Sequence, residues 1–166
     1  MDLVLTLIRV AIGLGLAAHG AQKLFGWFGG YGIAGTGGFF ESIGFRPGKP
    51  MAIAAGVSEF AGGLLLAAGL ATPIGAMLIL GTMTVAIGFH WPKFFAGDNG
   101  LEVAGLYALG AVIFAVLPAT TLSLDYALGL AAVFTPAFVA IALALGIIGG
   151  LANLAMRKKP APAPAA

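Results

Sequence analysis

The sequence predicts an all-α membrane protein, and three observations carry that prediction. Sixty per cent of its 166 residues are hydrophobic and eight per cent are charged, against about a quarter charged in soluble globular domains. Mean hydropathy is +1.06. Apolar stretches recur at close to the roughly 20 residues an α-helix needs to cross a bilayer. A chain of this length has room for one domain, expected over residues 1–156. Its 27 glycines suit such a bundle, because small residues let lipid-embedded helices approach closely.

Composition also excludes several classes. Cysteine is absent, which removes a disulfide framework, a thiol nucleophile and a thiolate metal site from this chain. Any thiol chemistry would belong to a partner. The pI near 9.2 reflects a few scattered basic residues, not a basic patch interleaved with aromatics, so no nucleic-acid partner is expected. The sequence has no P-loop, dinucleotide fingerprint, His-Glu-x-x-His or repeated Glu-x-x-His motif, and no covalent or metal cofactor is evident. His19 and His90, at similar depth, would suit two-sided haem ligation, but no other haem signal accompanies them.

Five spans are expected. Residues 3–25 lack a basic leader and exceed the roughly 7–15 residues of a signal-peptide core, so they read as a retained helix. Residues 51–71 follow Pro50 and stop at Thr72-Pro73. That tight turn makes the next span, 73–89, an antiparallel neighbour, with Pro73 in a tolerated first-turn position. Residues 101–117 close at Pro118, and 137–156 follow a short interfacial piece ending at Pro136. The loop 26–48 is glycine- and aromatic-rich with little charge. It reads as an interfacial or re-entrant element, with Thr36 a candidate N-cap for a short helix near 39–43. Trp27, Phe28, Tyr31 and Trp91 fall where an interfacial aromatic belt would lie. Residues 157–166, basic and then Pro/Ala-rich, read as a disordered tail.

With five spans, Lys23, Arg46, Lys49, Lys93 and the cluster at 157–159 all share one side. The positive-inside rule makes that side cytoplasmic, with the N-terminus outside and the C-terminus inside.

The chemistry is expected where ionisable groups interrupt apolar helices. Such groups are costly in lipid, so they face a bundle interior, pair with one another or mark a site. Five qualify: His19, Lys23, Glu59, His90 and Glu102. His19 and Lys23 share a face of the first span with Arg9, within a sector of about 80°. Glu59 lies mid-way along the second span among Ala55, Gly56, Gly62 and Gly63, a small-residue face against which another helix can press and pair the acid. His90 ends the third span and Glu102 opens the fourth. Plainer readings stand beside these: Lys23 snorkels to the interface, and His90 and Glu102 are ordinary polar helix ends. Arg9 is expected to partner Glu59 or a lipid phosphate. Glu41 reads as solvated, Asp98-Asn99-Gly100 as a turn, and Gly146 with Gly150 as a helix-packing spacing that is weak evidence for a dimer.

The run His19-Gly20-Ala21-Gln22-Lys23-Leu24-Phe25-Gly26, then Gly35-Thr36, resembles the DoxX family of bacterial membrane proteins. So do Glu59-Phe60-Ala61-Gly62-Gly63-Leu64 and the turn Gly69-Leu70-Ala71-Thr72-Pro73, together with His90 and Glu102. The resemblance covers about residues 3–117 and implies a four-helix transmembrane bundle, here with a fifth, C-terminal hydrophobic helix. It also implies a bacterial plasma (inner) membrane and a role in quinone-linked oxidation or in thiol-stress complexes. Carried over residue by residue, it makes Glu59, His19, Lys23, His90 and Glu102 the candidate catalytic site.

Two functions are expected to compete. In the first, the chain is the membrane subunit of a quinone-linked oxidoreductase with a membrane or soluble redox partner. His19, Lys23, Phe25 and Trp27, with Phe28, would then hold the quinone, and Glu59 or Glu102 would relay protons. In the second, it is a non-catalytic scaffold or assembly subunit of a redox or stress complex. A third, a proton-coupled conduit, would call for an internal repeat that the sequence does not display.

Overall fold

Glycine and proline mark most helix ends in this chain. The computed structural model describes residues 1–158; Lys159 and the Pro/Ala-rich tail expected to be disordered lie outside the described residues. Helix α1 (Asp2–Phe25) stops at Gly26, whose φ of 73° is left-handed. Helix α2 (Gly32–Ser42) follows a 3₁₀ turn at Trp27–Gly29. Helix α3 (Gly48–Ala68) begins with Pro50 inside its first turn, where the missing N–H costs nothing. Its first amide, Gly48, donates to Glu41 Oε1 at 2.9 Å, so Glu41 is tied to the start of α3.

Gly69, at φ 61°, ends α3. Helix α4 (Thr72–His90) begins directly after it with Pro73 in the first turn, and α3 and α4 pack as antiparallel neighbours. Helix α5 (Glu102–Val116) ends before Leu117-Pro118, since proline disfavours helical geometry in the residue before it. A short α6 (Leu124–Ala127) is capped by Ser123 Oγ on Tyr126 N–H at 3.2 Å. Helix α7 (Pro136–Ala155) is capped by Thr135 Oγ1 on Phe138 N–H at 3.2 Å.

No strand occurs among the described residues, and the chain is all-α. Four helices, α1, α3, α4 and α7, are long and apolar enough to cross a membrane, and α5 is a further, shorter apolar helix. Helix α3 packs on α1, α2 and α4, and α4 in turn carries α5 and α7. Leu16, Leu66 and Ile79 are fully buried at the centre. One end of the bundle gathers the C-termini of α1, α4 and α7 with α2. This basic end holds Lys23, Arg46, Lys49, Lys93 and Arg157.

One local expectation is corrected. Thr36 does not cap a short helix: α2 begins at Gly32, with Thr36 buried inside it. Its glycines let α2 lie against α3 instead of breaking it, since a Cβ at Gly37 would stand 3.0 Å from Lys49 Cα. Gly146 and Gly150 serve an internal contact. A Cβ at either would stand about 2.5 Å from a carbonyl oxygen of α4, that of Met77 or Gly81.

Candidate functional site

The crossing of α1 and α3 places the site. Gly13 and Gly63 face each other so closely that a Cβ on either would lie 2.5 Å from the other's carbonyl oxygen. Gly20 lies equally tight against Gly56 and Phe60. The two helices cross antiparallel, which sets Lys23 beside Gly56, about a turn of α3 from Glu59, and its Nζ meets Glu59 Oε2 at 2.5 Å. The Glu59 side chain is 4% exposed and that of Lys23 25%. A carboxylate this deep in an apolar bundle needs a partner, and the ammonium four residues beyond His19 is that partner.

The His-Gly-x-x-Lys run thus divides its work. Gly20 permits the crossing and Lys23 makes the ion pair. Gln22 Nε2 donates to the Phe28 carbonyl at 3.2 Å, fastening the aromatic loop to α1, while its Oε1 pairs with His19 Nδ1 at 3.1 Å. The edge of the His19 ring meets Tyr107 of α5, centroids 5.6 Å apart. Both rings lie within electrostatic reach of Glu59. Tyr107 has no signal in the sequence, because one tyrosine in an apolar helix looks like packing.

On the other side of the pair lies a cavity of about 560 Å³ walled by α2, α3, α4 and α7. Lys23, Glu59 and His90 border it, with Phe40, Phe45 and Phe89 among its apolar walls. Oε2 of Glu59 takes the lysine, which leaves Oε1 without a hydrogen-bond partner among the described residues.

The remaining expected residues are dispersed. His90 Nδ1 is 2.6 Å from the Asn99 carbonyl, at the cavity's basic end. Glu102 turns back into the loop between α4 and α5, where Oε2 accepts from Ala96 N–H at 3.0 Å. Phe25 stacks between Trp27 (4.8 Å) and Phe60 (5.5 Å), half exposed and outside the cavity wall. His19, Phe25 and Trp27 therefore lie away from the cavity that Lys23 borders.

Arg9 does not partner Glu59, contrary to the expectation from the sequence. It lies some 20 Å from Lys23 along α1, 4% exposed, and Nη2 donates to the Leu122 carbonyl at 3.1 Å. Asp125 is within its electrostatic reach. Asp125 carries no signal in the sequence, yet it is 2% exposed and reaches the start of α4 from α6. Among the described residues no cluster of His, Asp or Glu is arranged to hold a metal ion.

One family model, described as DoxX, matches residues 4–91, which is α1 through α4. No curated protein and no solved structure gives a significant match.

Proposed function

This chain belongs to the DoxX family, a multi-pass membrane protein whose surroundings are a lipid bilayer, and on that premise we propose that it is the quinone-binding membrane subunit of an oxidoreductase. The observation that carries this reading is the cavity bordered by the Lys23–Glu59 pair. Its volume lies in the range of small-molecule sites, which are mostly apolar with a few convergent polar groups. The residues fit such a ligand: an ammonium to donate to a carbonyl oxygen, a carboxylate with one oxygen to spare, and aromatic walls for a ring.

A quinone bound there would take up two electrons and two protons. The electrons must come from a redox partner, because this chain has neither cysteine nor a metal-ligating motif. Lys23 would orient the polar head, and Glu59 Oε1 would pass on the two protons in turn, taking up the second after giving up the first, as general acid–base chemistry allows. His90 continues from the cavity toward the basic end. Glu102 holds the loop beside it, while His19 and Tyr107 support Lys23 and Glu59 from behind. We place the basic end in the cytoplasm of a bacterial inner membrane, N-terminus out, on the positive-inside rule.

A second reading has one observation in its favour. A pair at 2.5 Å is already satisfied, and so would serve to lock α1 onto α3 in a scaffold. Mild detergent purification, organic extraction and mass spectrometry separate the two. Quinone in the wild type and none in a folded Glu59→Gln variant supports the redox reading. A protein partner copurifying with both, and quinone with neither, gives the scaffold its place.

A further inference from the structure

The cavity has a closed end and an open side, and both are set by α7, which lies outside the family-matched stretch. At the basic end, Arg157 Nε donates to the Ile43 carbonyl at 2.8 Å and Lys158 N–H to the Gly44 carbonyl at 2.9 Å. The guanidinium covers the rings of Phe89 (4.9 Å) and Phe45 (5.8 Å), two of the cavity's walls. Asn153 Nδ2 reaches Met51 Sδ at 3.4 Å, joining α7 to α3 at that same end. This clasp shuts the route from the loops.

Along the rest of their length α3 and α7 pack chiefly on α4 and only sparsely on each other. The three glycines of α7 that border the cavity then differ in kind. Gly146 and Gly150 are jammed against α4, whereas a Cβ at Gly149 would meet no atom within 4 Å. Gly149 is six residues from the end of α7, so by helical rise it lies about 9 Å inside that end, at hydrocarbon depth.

We propose that the cleft between α3 and α7 at Gly149 is a side opening, through which an amphiphile from the bilayer reaches Lys23 and Glu59 with its hydrocarbon tail left in the cleft. Gly149 is then the residue that decides which tails fit. This deepens the quinone reading and rests on the same cavity, but its test needs no quinone.

Dicyclohexylcarbodiimide, a lipid-soluble reagent, adds to a carboxylic acid. The acid's proton passes to a carbodiimide nitrogen and its oxygen to the central carbon. At Glu59 the neighbouring Lys23 amine can displace the urea and leave a Lys23–Glu59 amide, which peptide mass spectrometry reads directly. In membranes, Gly149→Leu should slow modification of Glu59 about tenfold, equivalent to ~1.4 kcal/mol on the access barrier. Ala144→Leu, on the exposed face of α7 away from the cavity, should leave the rate unchanged and controls for folding. Equal rates in wild type and Gly149→Leu would overturn the proposal, as would faster modification by a water-soluble carbodiimide. A Gly149-dependent rate in a protein that carries no quinone would retire the quinone reading and leave the side opening standing.

Discussion

Asp125 Oδ2 accepts both the backbone N–H and the hydroxyl of Thr72, at 3.0 and 2.6 Å, while Oδ1 takes the Ala71 N–H at 2.7 Å. A carboxylate 53 residues away in sequence thus caps the first turn of α4. The cap answers a specific need. Thr72 follows Ala71, held at φ 45°, and the tight turn provides no local side chain for the orphan amides at the helix start. The same segment supplies the Leu122 carbonyl that holds Arg9, so two long-range polar contacts close the end of the bundle opposite Lys23.

Asp125→Ala should therefore destabilise the protein by about 3 kcal/mol, since it strands buried donors that had a charged acceptor. Asp125→Asn, which keeps one acceptor oxygen, should lose less. Unfolding in mixed micelles gives the ranking, and a neutral Asp125→Ala would show that the cap is not needed.

The Lys23–Glu59 pair makes the opposite kind of prediction. Removing one partner leaves an uncompensated charge in the bundle, at a cost of about 3–5 kcal/mol, whereas replacing both with apolar residues is often neutral. Lys23→Met and Glu59→Met should each be unstable alone, and the double variant should recover to within ~1 kcal/mol of wild type. Quinone should not return with stability. A double variant that regains both would reduce the pair to packing.

These residues also show what was legible and what was not. Glu59 and Lys23 stood out because a charge within a 20-residue apolar run has few physical explanations, and its depth could be counted along the helix. That Glu59 would be paired was suggested by the small residues around it, several of which form the α1–α3 crossing, but the partner expected from the first span was Arg9, and the pair is made by Lys23 instead. Asp125 gave no such sign: it follows Leu122-Ser123-Leu124, in a segment that reads as a connection, and its partners lie across the molecule. Glu102 was equally conspicuous, yet at a helix end a carboxylate has a loop within reach, and it bonds to Ala96. The cavity was invisible because its walls are apolar and small residues, indistinguishable from core until the helices are placed.

Glycine positions offer a paired test. Alanine in a helix is favoured over glycine by about 1 kcal/mol, so Gly38→Ala, where a Cβ meets nothing within 4 Å, should stabilise by up to that amount. Gly13→Ala and Gly63→Ala should lose stability despite the same propensity gain, because the new methyl forces the α1 and α3 backbones apart, at a cost of about 1–3 kcal/mol. Both should also lower any quinone content by drawing Lys23 away from Glu59. Gly38→Ala should not.

The clasp at the basic end predicts a local effect without a global one. Arg157 offers one hydrogen bond to Ile43 and two aromatic faces, and such contacts contribute on the order of 1–2 kcal/mol together at a partly buried site. Helix α7 is held elsewhere by its glycine contacts with α4. Arg157→Ala should therefore leave overall unfolding little changed while speeding amide exchange at Lys158 and in the last turn of α7 by about tenfold. Arg157→Lys should protect only partly, because an ammonium lacks the planar fork that lies on Phe89 and Phe45. If exchange in α7 is the same in all three proteins, Arg157 does not hold the helix, and the closed end of the cavity must be attributed to Asn153 and Met51.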